Sequence, residues 1–429
     1  MQSSDRTNMT RSAVLSFIGG HGPTSRADLA RTLGVSPALI TQITKDLLAQ
    51  GLLTELELSP SRGGRPARLL GLAVDAGGAL GVKVATDHIT LVECQIDGTV
   101  LRSATEPFDA TSSDALEDLV ALIRVFIADS ARTSLLGIGV ATPGNVKEQS
   151  VGTVESTQMG WSQVQLGTRL RQEFDLPVLV DNNVNALATA EILFGQAKGH
   201  DDALVVTIGT GIGAGIIADS MVLRGRNGIA GEIGHLPTLE DGPLCQCGAR
   251  GCLEALIGEQ ALVDQARKQG VLTAREGIDA LRDRADSGDA GAQGVFAGAG
   301  HILGRALAGV VNLLDPEVLI ISGEGVASWK HWMYRFEPAF RACLIPAKRG
   351  VPVAVEAWAD DRWAQGAACL VLGTPFDEQG RSGAQGEWVR QRLSDTTKPQ
   401  TPEAHTAIAQ TPRSQVSAQA QPDNAQAVK

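Results

Sequence analysis

The chain contains no uninterrupted apolar run of about 18 residues, the length a helix needs to cross a bilayer. Its opening residues, Met1 to Thr10, are polar and lack the hydrophobic segment of a secretory leader. The sequence therefore predicts no membrane span, no export, no membrane partner and a cytoplasmic address. Cysteine is also scarce. Six occur in 429 residues, and Cys245, Cys247 and Cys252 fall within eight positions. That clustering suits a metal site in a reducing compartment better than a disulfide framework. Cys94, Cys343 and Cys369 stand singly in apolar runs and read as core. Positive charge is deficient overall, with a net charge of −11, which taken alone argues against nucleic acid as a partner. The deficit is uneven. Residues 1–72 carry eight Lys/Arg against five Asp/Glu, a balance of +3, leaving −14 for the remainder. A basic module can act on DNA beside an acidic body, because attraction to phosphate is screened over about 10 Å.

What is present supports two or three packed units, since 43% of the residues are hydrophobic and 20% charged. Three regimes follow one another: a helix-rich head over residues 1–72, a Gly/Val/Ile/Leu-rich body over 73–375, and a tail over 376–429. The tail has few large apolar residues after Trp388 and reads as low-complexity and disordered.

In the head, a helix over Arg11 to Ile18 breaks at Gly19, Gly20, Gly22 and Pro23. Ser25 with Asp28 then resembles a capping box that opens a second helix, stopped at Gly34. Ser36 followed by Pro37 is an N-cap with proline at the first helical position, and a third helix runs from there to about Gln50. Ile40, Ile43 and Leu47 share its apolar face. Ala38, Thr41, Gln42 and Lys45 lie on the opposite face. A small residue, a hydroxyl, an amide and a cation can meet a thymine methyl, base edges and a phosphate. Two helices joined by a Gly-containing turn form a helix-turn-helix, with Ser36 to Gln50 as recognition helix and Arg26 on the preceding helix as a further contact. Leu52 to Leu58 and Ala67 to Leu70 read as strands flanking a wing, with Arg62 and Arg65 at its tip for a narrow minor groove. The partner implied is double-stranded operator DNA.

In the body, Gly231-Glu-Ile-Gly-His235 precedes Cys245-Gln-Cys247 and Cys252-Leu-Glu254. His235, Cys245, Cys247 and Cys252 compose a Cys3His set, the donor set of a closed structural Zn2+ site. Alternating Val/Ile-rich runs, such as Leu135 to Val140, Val178 to Val180 and Leu204 to Ile208, with helical stretches between, indicate an α/β body.

From about Gly81 to Leu372 the chain resembles the ROK family of sugar kinases and sugar-responsive repressors. The resemblance extends to the head, because repressor members carry a winged helix ending in Gly-Gly-Arg-Pro, here Gly63 to Pro66. The family implies two α/β lobes of the actin-like, ribonuclease-H-like type around a cleft. It places Asn182, Asn183, Glu232, His235 and Glu254 on sugar hydroxyls, His235 while also bound to zinc. Thr142 to Asn145 and Gly160-Trp161 occupy loops beside that site. Val180-Asp-Asn-Asn-Val-Asn-Ala186 aligns with a family motif whose catalytic aspartate falls on Asn183, and a neutral amide cannot take a proton from the attacking hydroxyl. Thr207 to Gly215 matches the second phosphate loop. The first phosphate loop does not match: Asp75-Ala-Gly-Gly-Ala79 has the wrong spacing, and the family's aspartate lands on Lys83. Glu324 stands where kinases often have glycine. The resemblance thus implies a non-enzymatic, sugar-responsive repressor with no catalytic residues, controlled by a sugar or phosphosugar and acting as a homodimer or homotetramer. The alternative is an active ATP-dependent sugar kinase with a DNA-binding head, which Asn183 and Lys83 disfavour.

Overall fold

The computed structural model describes residues 10–395, apart from 12, 16, 20, 21, 59–66, 131–134 and 377–382. The head comprises α1 (helical at 10–11, 13–15 and 17–19), β1 (Thr24–Ser25), α2 (Arg26–Thr32), α3 (Pro37–Ala49), β2 (Leu53–Leu58) and β3 (Arg68–Leu72), with sheet order β1-β3-β2. The expected caps are present. Ser25 Oγ accepts the Asp28 N–H at 3.2 Å and Ser36 Oγ accepts the Leu39 N–H at 3.3 Å, satisfying orphan donors at the starts of α2 and α3. Ile40, Ile43 and Leu47 are buried against Val14, Leu15, Ile18 and Leu29.

The first lobe follows as β4 (Gly78–Val84), β5 (His88–Gln95), β6 (Val100–Pro107), α4 (Ala115–Ala128), β7 (Leu135–Thr142), β8 (Asn145–Val146), β9 (Val154–Ser156), β10 (Trp161–Val164), α5 (Leu166–Phe174), β11 (Val178–Asn182) and α6 (Asn183–Phe194). The second lobe comprises β12 (Ala203–Ile208), β13 (Ile212–Ala218), β14 (Met221–Val222), α7 (Leu253–Ile257), α8 (Glu259–Lys268), α9 (Ile278–Asp286), α10 (Ala290–Leu314), β15 (Val318–Ser322), α11 (Trp329–Cys343) and β16 (Val353–Val355), then α12 (Asp360–Leu372) and α13 (Gly383–Asp395).

Both lobes repeat one topology. The first sheet is ordered β11-β7-β4-β5-β6 and the second β14-β13-β12-β15-β16. In each, the first strand pairs antiparallel with the second and parallel with the fourth. The parallel strands are buried on both faces and read as continuous apolar runs. The helix that ends each lobe crosses to the other: α6 packs on β12 and β13, α12 packs on β4, β5 and β7, and the two helices pack on each other. Close approach of α12 needs glycine at Gly81 and Gly139, where a Cβ would collide with the carbonyls of Ala364 and Ala367.

Two helices bear on expectations from the sequence. Helix α10 spans 25 residues and is apolar enough by length and composition to cross a membrane, because the long Gly/Ala-rich stretch tolerates His301 and Arg305. Its apolar face nevertheless belongs to the second lobe's core with Phe296, Leu303 and Leu307. The low-complexity tail, read as disordered in its last part, begins with α13, whose Val389 and Leu393 are buried. The spacing of these two residues puts them on one helical face, and Arg392 donates from Nε to the Leu135 carbonyl at 3.1 Å. Residues 396–429 lie outside the described residues.

Candidate functional site

A cleft of about 530 Å³ opens between the lobes. The first lobe contributes Lys83 from β4, Pro143 to Asn145 from the β7–β8 turn, Glu155 to Gln158 from β9 and the turn after it, and Asn182 at the end of β11. Across from these stand the Thr207 to Ala214 hairpin, Ile229 to Glu232, His235, Gln246, Cys247, Glu254 and Glu324. All five residues expected at the sugar line this one space.

Asn182 caps α6: its Oδ1 accepts the Val184 N–H at 2.9 Å and its Nδ2 donates to the Gly144 carbonyl at 3.0 Å. The side chain is thereby fixed at the cleft wall. Asn183 opens α6, and its buried Oδ1 has no hydrogen-bond partner in the protein. Underneath, the fully buried Asp181 carboxylate accepts from the Asn182 backbone N–H (2.8 Å), Asn185 (3.1 Å), Gln149 (2.7 Å) and Arg224 (2.8 Å). Arg224 follows β14, so this ion pair joins the lobes directly beneath Asn182.

On the opposite wall Glu254, near the start of α7, accepts the Ile212 N–H at 3.0 Å through Oε2 and Gln246 Nε2 at 2.9 Å through Oε1. Glu232 lies 3.9 Å from His235 Nε2. The other ring nitrogen, Nδ1, faces the cysteines, 3.5 Å from Cys245 Sγ, while Cys247 and Cys252 Sγ are 3.7 Å apart. One ligand atom from each of His235, Cys245, Cys247 and Cys252 lies within 4.8 Å of the others. A tetrahedral zinc with Zn–S near 2.3 Å needs sulfur atoms about 3.8 Å apart. The residues fit the ion.

Lys83 reaches the cleft. Its side chain is 8% exposed, and its ammonium lies 2.6 Å from Asp360 Oδ1 and 5.9 Å from the ring centroids of both Trp358 and Trp363. Glu324 packs its carboxylate against Gly209 in the glycine-rich hairpin.

In the head, Ser36, Ala38, Thr41, Gln42 and Lys45 are exposed along one side of α3. Gln42 Nε2 donates to Asp46 Oδ1 at 3.0 Å, and Thr41 Oγ1 donates to the Pro37 carbonyl at 2.7 Å. Arg26 is committed internally, donating to Thr44 Oγ1 (3.0 Å) and Glu55 Oε1 (3.0 Å), so it braces α2 against α3 and β2. Arg62 and Arg65 lie outside the described residues.

The Glu155 to Gln158 segment was missed because a three-residue strand carries no motif. Gln246 stood between two metal ligands and was the more discoverable. Gly160 and Trp161 do not line the cleft: Trp161 is 7% exposed and donates from Nε1 to the Ala110 carbonyl at 2.8 Å.

The ROK family model matches residues 79–374, and a MarR family model matches residues 6–64. The chain belongs to the ROK family. Its ROK relatives include the xylose repressor of Bacillus subtilis (strain 168), 30% identical over 319 residues, 73% of this chain and 82% of the relative. They also include the DNA-binding transcriptional dual regulator NagC of Escherichia coli (strain K12), 30% identical over 377 residues, 85% of this chain and 92% of the relative. Among solved structures, a ROK family transcriptional regulator described as a homolog of the E. coli MLC protein superposes with a TM-score of 0.77 at 27% identity, over 91% of this chain and 99% of that one. A ROK family glucokinase from Streptomyces griseus in complex with glucose and AMPPNP gives 0.60 at 27% identity, over 68% of this chain and 99% of the kinase. The kinase is therefore matched almost completely by a part of this ROK chain, whereas the regulator matches nearly all of it. The fold is that of a ROK regulator: a winged helix-turn-helix followed by a two-lobed sugar-kinase fold.

Proposed function

We propose that this protein is a sugar-responsive transcriptional repressor whose kinase-like body, residues 73–375, senses its ligand without phosphorylating it. The observation that carries the sensing half is the convergence of Asn182, Asn183, Glu232, His235 and Glu254 on one cleft. Carboxylates accept hydrogen bonds from vicinal hydroxyls, and Asn183 offers an amide that can bond a hydroxyl without removing its proton. Phosphoryl transfer needs a base on the attacking oxygen and cations on the phosphates. Here the base position is an amide, and the first phosphate loop is replaced by a lysine already paired with Asp360.

Zinc held by His235, Cys245, Cys247 and Cys252 supplies structural rigidity. With Nδ1 turned to the cysteines, His235 presents Nε2–H toward Glu232 and the sugar. The head, residues 1–72, reads operator DNA through Ala38, Thr41, Gln42 and Lys45, with the wing arginines Arg62 and Arg65 in the minor groove. Homodimers or homotetramers in the cytoplasm present paired heads to paired half-sites.

The test is calorimetry of zinc-loaded protein against a sugar panel, repeated with ATP-Mg and a product assay, followed by operator binding with and without the sugar found. Binding without phosphorylation, with a ligand-dependent operator affinity, is the expected result. Turnover of ATP and sugar would overturn it. Chelating the zinc should lower the melting temperature and abolish sugar binding together, because the metal sets His235 and, through Gln246, Glu254.

A further inference from the structure

The anion-binding features of the cleft are already occupied by the protein's own carboxylates. In phosphate sites, lysine, arginine and the N–H groups of glycine-rich turns converge on oxyanions. Lys83 is the one lysine, and no arginine joins it, among the described residues lining this cleft. Its ammonium is spent on Asp360 at 2.6 Å. In the glycine-rich hairpin, the Ile212 N–H goes to Glu254 at 3.0 Å, Thr210 Oγ1 goes to Glu259 at 3.3 Å, and Glu324 lies against Gly209. Glu155, Glu232, Glu254 and Glu324 face the same space. A cleft lined by one sign of charge between low-dielectric walls focuses its field and repels ions of that sign.

We infer that the effector is an uncharged, unphosphorylated sugar, and that Glu324 and Asp360 are the residues that exclude its phosphate ester. This rests on the cleft being the sugar site. It goes further by choosing between the two effector classes that the site's hydrogen-bonding groups alone would accept. Hydroxyls of a neutral sugar donate to the lining carboxylates, whereas a phosphate dianion brings two more negative charges and no donor beyond those already present. Lys83 acts as an internal cation that fills the space beside Trp358 and Trp363, and Asp360 removes its charge from the ligand's view.

The experiment is calorimetry on the full, zinc-loaded chain with three pairs of probes: D-xylose and its 5-phosphate, N-acetylglucosamine and its 6-phosphate, D-glucose and its 6-phosphate. At least one free sugar is expected to bind, and to bind more tightly than its own phosphate ester by about tenfold or more, the scale of one unfavourable charge contact in a partly hydrated cleft. Millimolar inorganic phosphate should not displace it. Glu324→Gln and, separately, Asp360→Asn should each narrow the gap between ester and free sugar by about tenfold. An ester that binds as tightly as its free sugar overturns the inference, and so does an unchanged gap in both variants. If such ester binding is weakened by Glu254→Gln, the sugar-site reading survives the loss. Absence of binding by every probe of both classes overturns the sugar-site reading and this inference with it.

Discussion

Single side chains divide the two activities between the ends of the molecule. Glu254 holds its place through Ile212 and Gln246 while lining the cleft, where it is proposed to accept from a sugar hydroxyl. Glu254→Gln retains the shape but replaces an anionic acceptor with a weaker one. Sugar affinity should fall by roughly tenfold or more, as expected when a charged hydrogen-bond partner becomes neutral, with operator affinity measured without sugar unchanged. Gln42 on α3 should behave in reverse. Its amide is held by Asp46 in the free protein, and losing a base-edge contact costs about 1–3 kcal/mol. Gln42→Ala should therefore weaken specific operator binding in an anisotropy titration and leave sugar calorimetry unaltered. Unchanged operator binding would remove Gln42 from the recognition surface. These residues could be picked out from sequence because each sits in a short motif with a fixed spacing: a cap, a Cys3His set, an Asn-Asn helix start. Asp181, Glu155 and Asp360 could not. Their roles depend on partners 43 residues away in the chain, on a strand of three residues, and on a lysine 277 positions earlier.

At the level of elements, the crossing of α6 and α12 creates an electrostatic problem that the sequence pattern conceals. Glu191 on α6 is 1% exposed and faces Glu356, which precedes α12, while Arg362 on α12 contacts both, at 3.2 and 2.9 Å. Burial, reinforced by the neighbouring Glu356 carboxylate, pushes the Glu191 carboxyl up from its ordinary 4.5 to about 7. A carboxyl raised in the folded state favours the folded protein while protonated, so its contribution is fully present below the ordinary value and is lost as pH rises toward about 7. The protein should thus lose stability over that interval, and Glu191→Gln, which stays neutral, should lose less. Melting temperatures of both proteins between about pH 5 and about pH 8 decide this. Parallel slopes would show that Glu191 does not titrate in the interval. Periodicity had marked strands of the two lobes, since Leu135 to Val140 and Leu204 to Ile208 fall within the strands Leu135–Thr142 and Ala203–Ile208. It could not show that each lobe's last helix docks on the other lobe, because that exchange is a property of topology. It likewise gave no sign of α13, whose two buried side chains are diluted in a polar tail.

For the whole molecule, the question is how a sugar between the lobes changes the grip of a head attached to one of them. The head is not on a loose tether. A single buried cluster runs from Val14, Ile40 and Leu70 through Ala76 and Ala79 to Leu136, Val371 and Val389, and the Ala73 N–H bonds the Leu52 carbonyl at 3.0 Å. Head and first lobe share this core, so under the proposed function the second lobe is the part expected to shift when a sugar bridges Asn182 to Glu254. Its direct polar connection beneath the ligand is Arg224 to Asp181. Asp181 is fully buried and also holds the backbone of Asn182, so a displacement of Arg224 would reach Asn182, proposed to bind the sugar, and the N-terminus of α6. Arg224→Gln keeps a donor but removes the charge. Because Arg224 is 30% exposed, the stability cost should fall below the 3–5 kcal/mol of a fully buried broken pair, at about 2 kcal/mol. The more telling effect is on coupling. Allosteric coupling is the ratio of operator affinities with and without sugar, and it is independent of either affinity alone. In Arg224→Gln that ratio should move toward one while sugar and operator each still bind. A ratio equal to the parent's would mean that closure is transmitted through the α6–α12 crossing without this clasp.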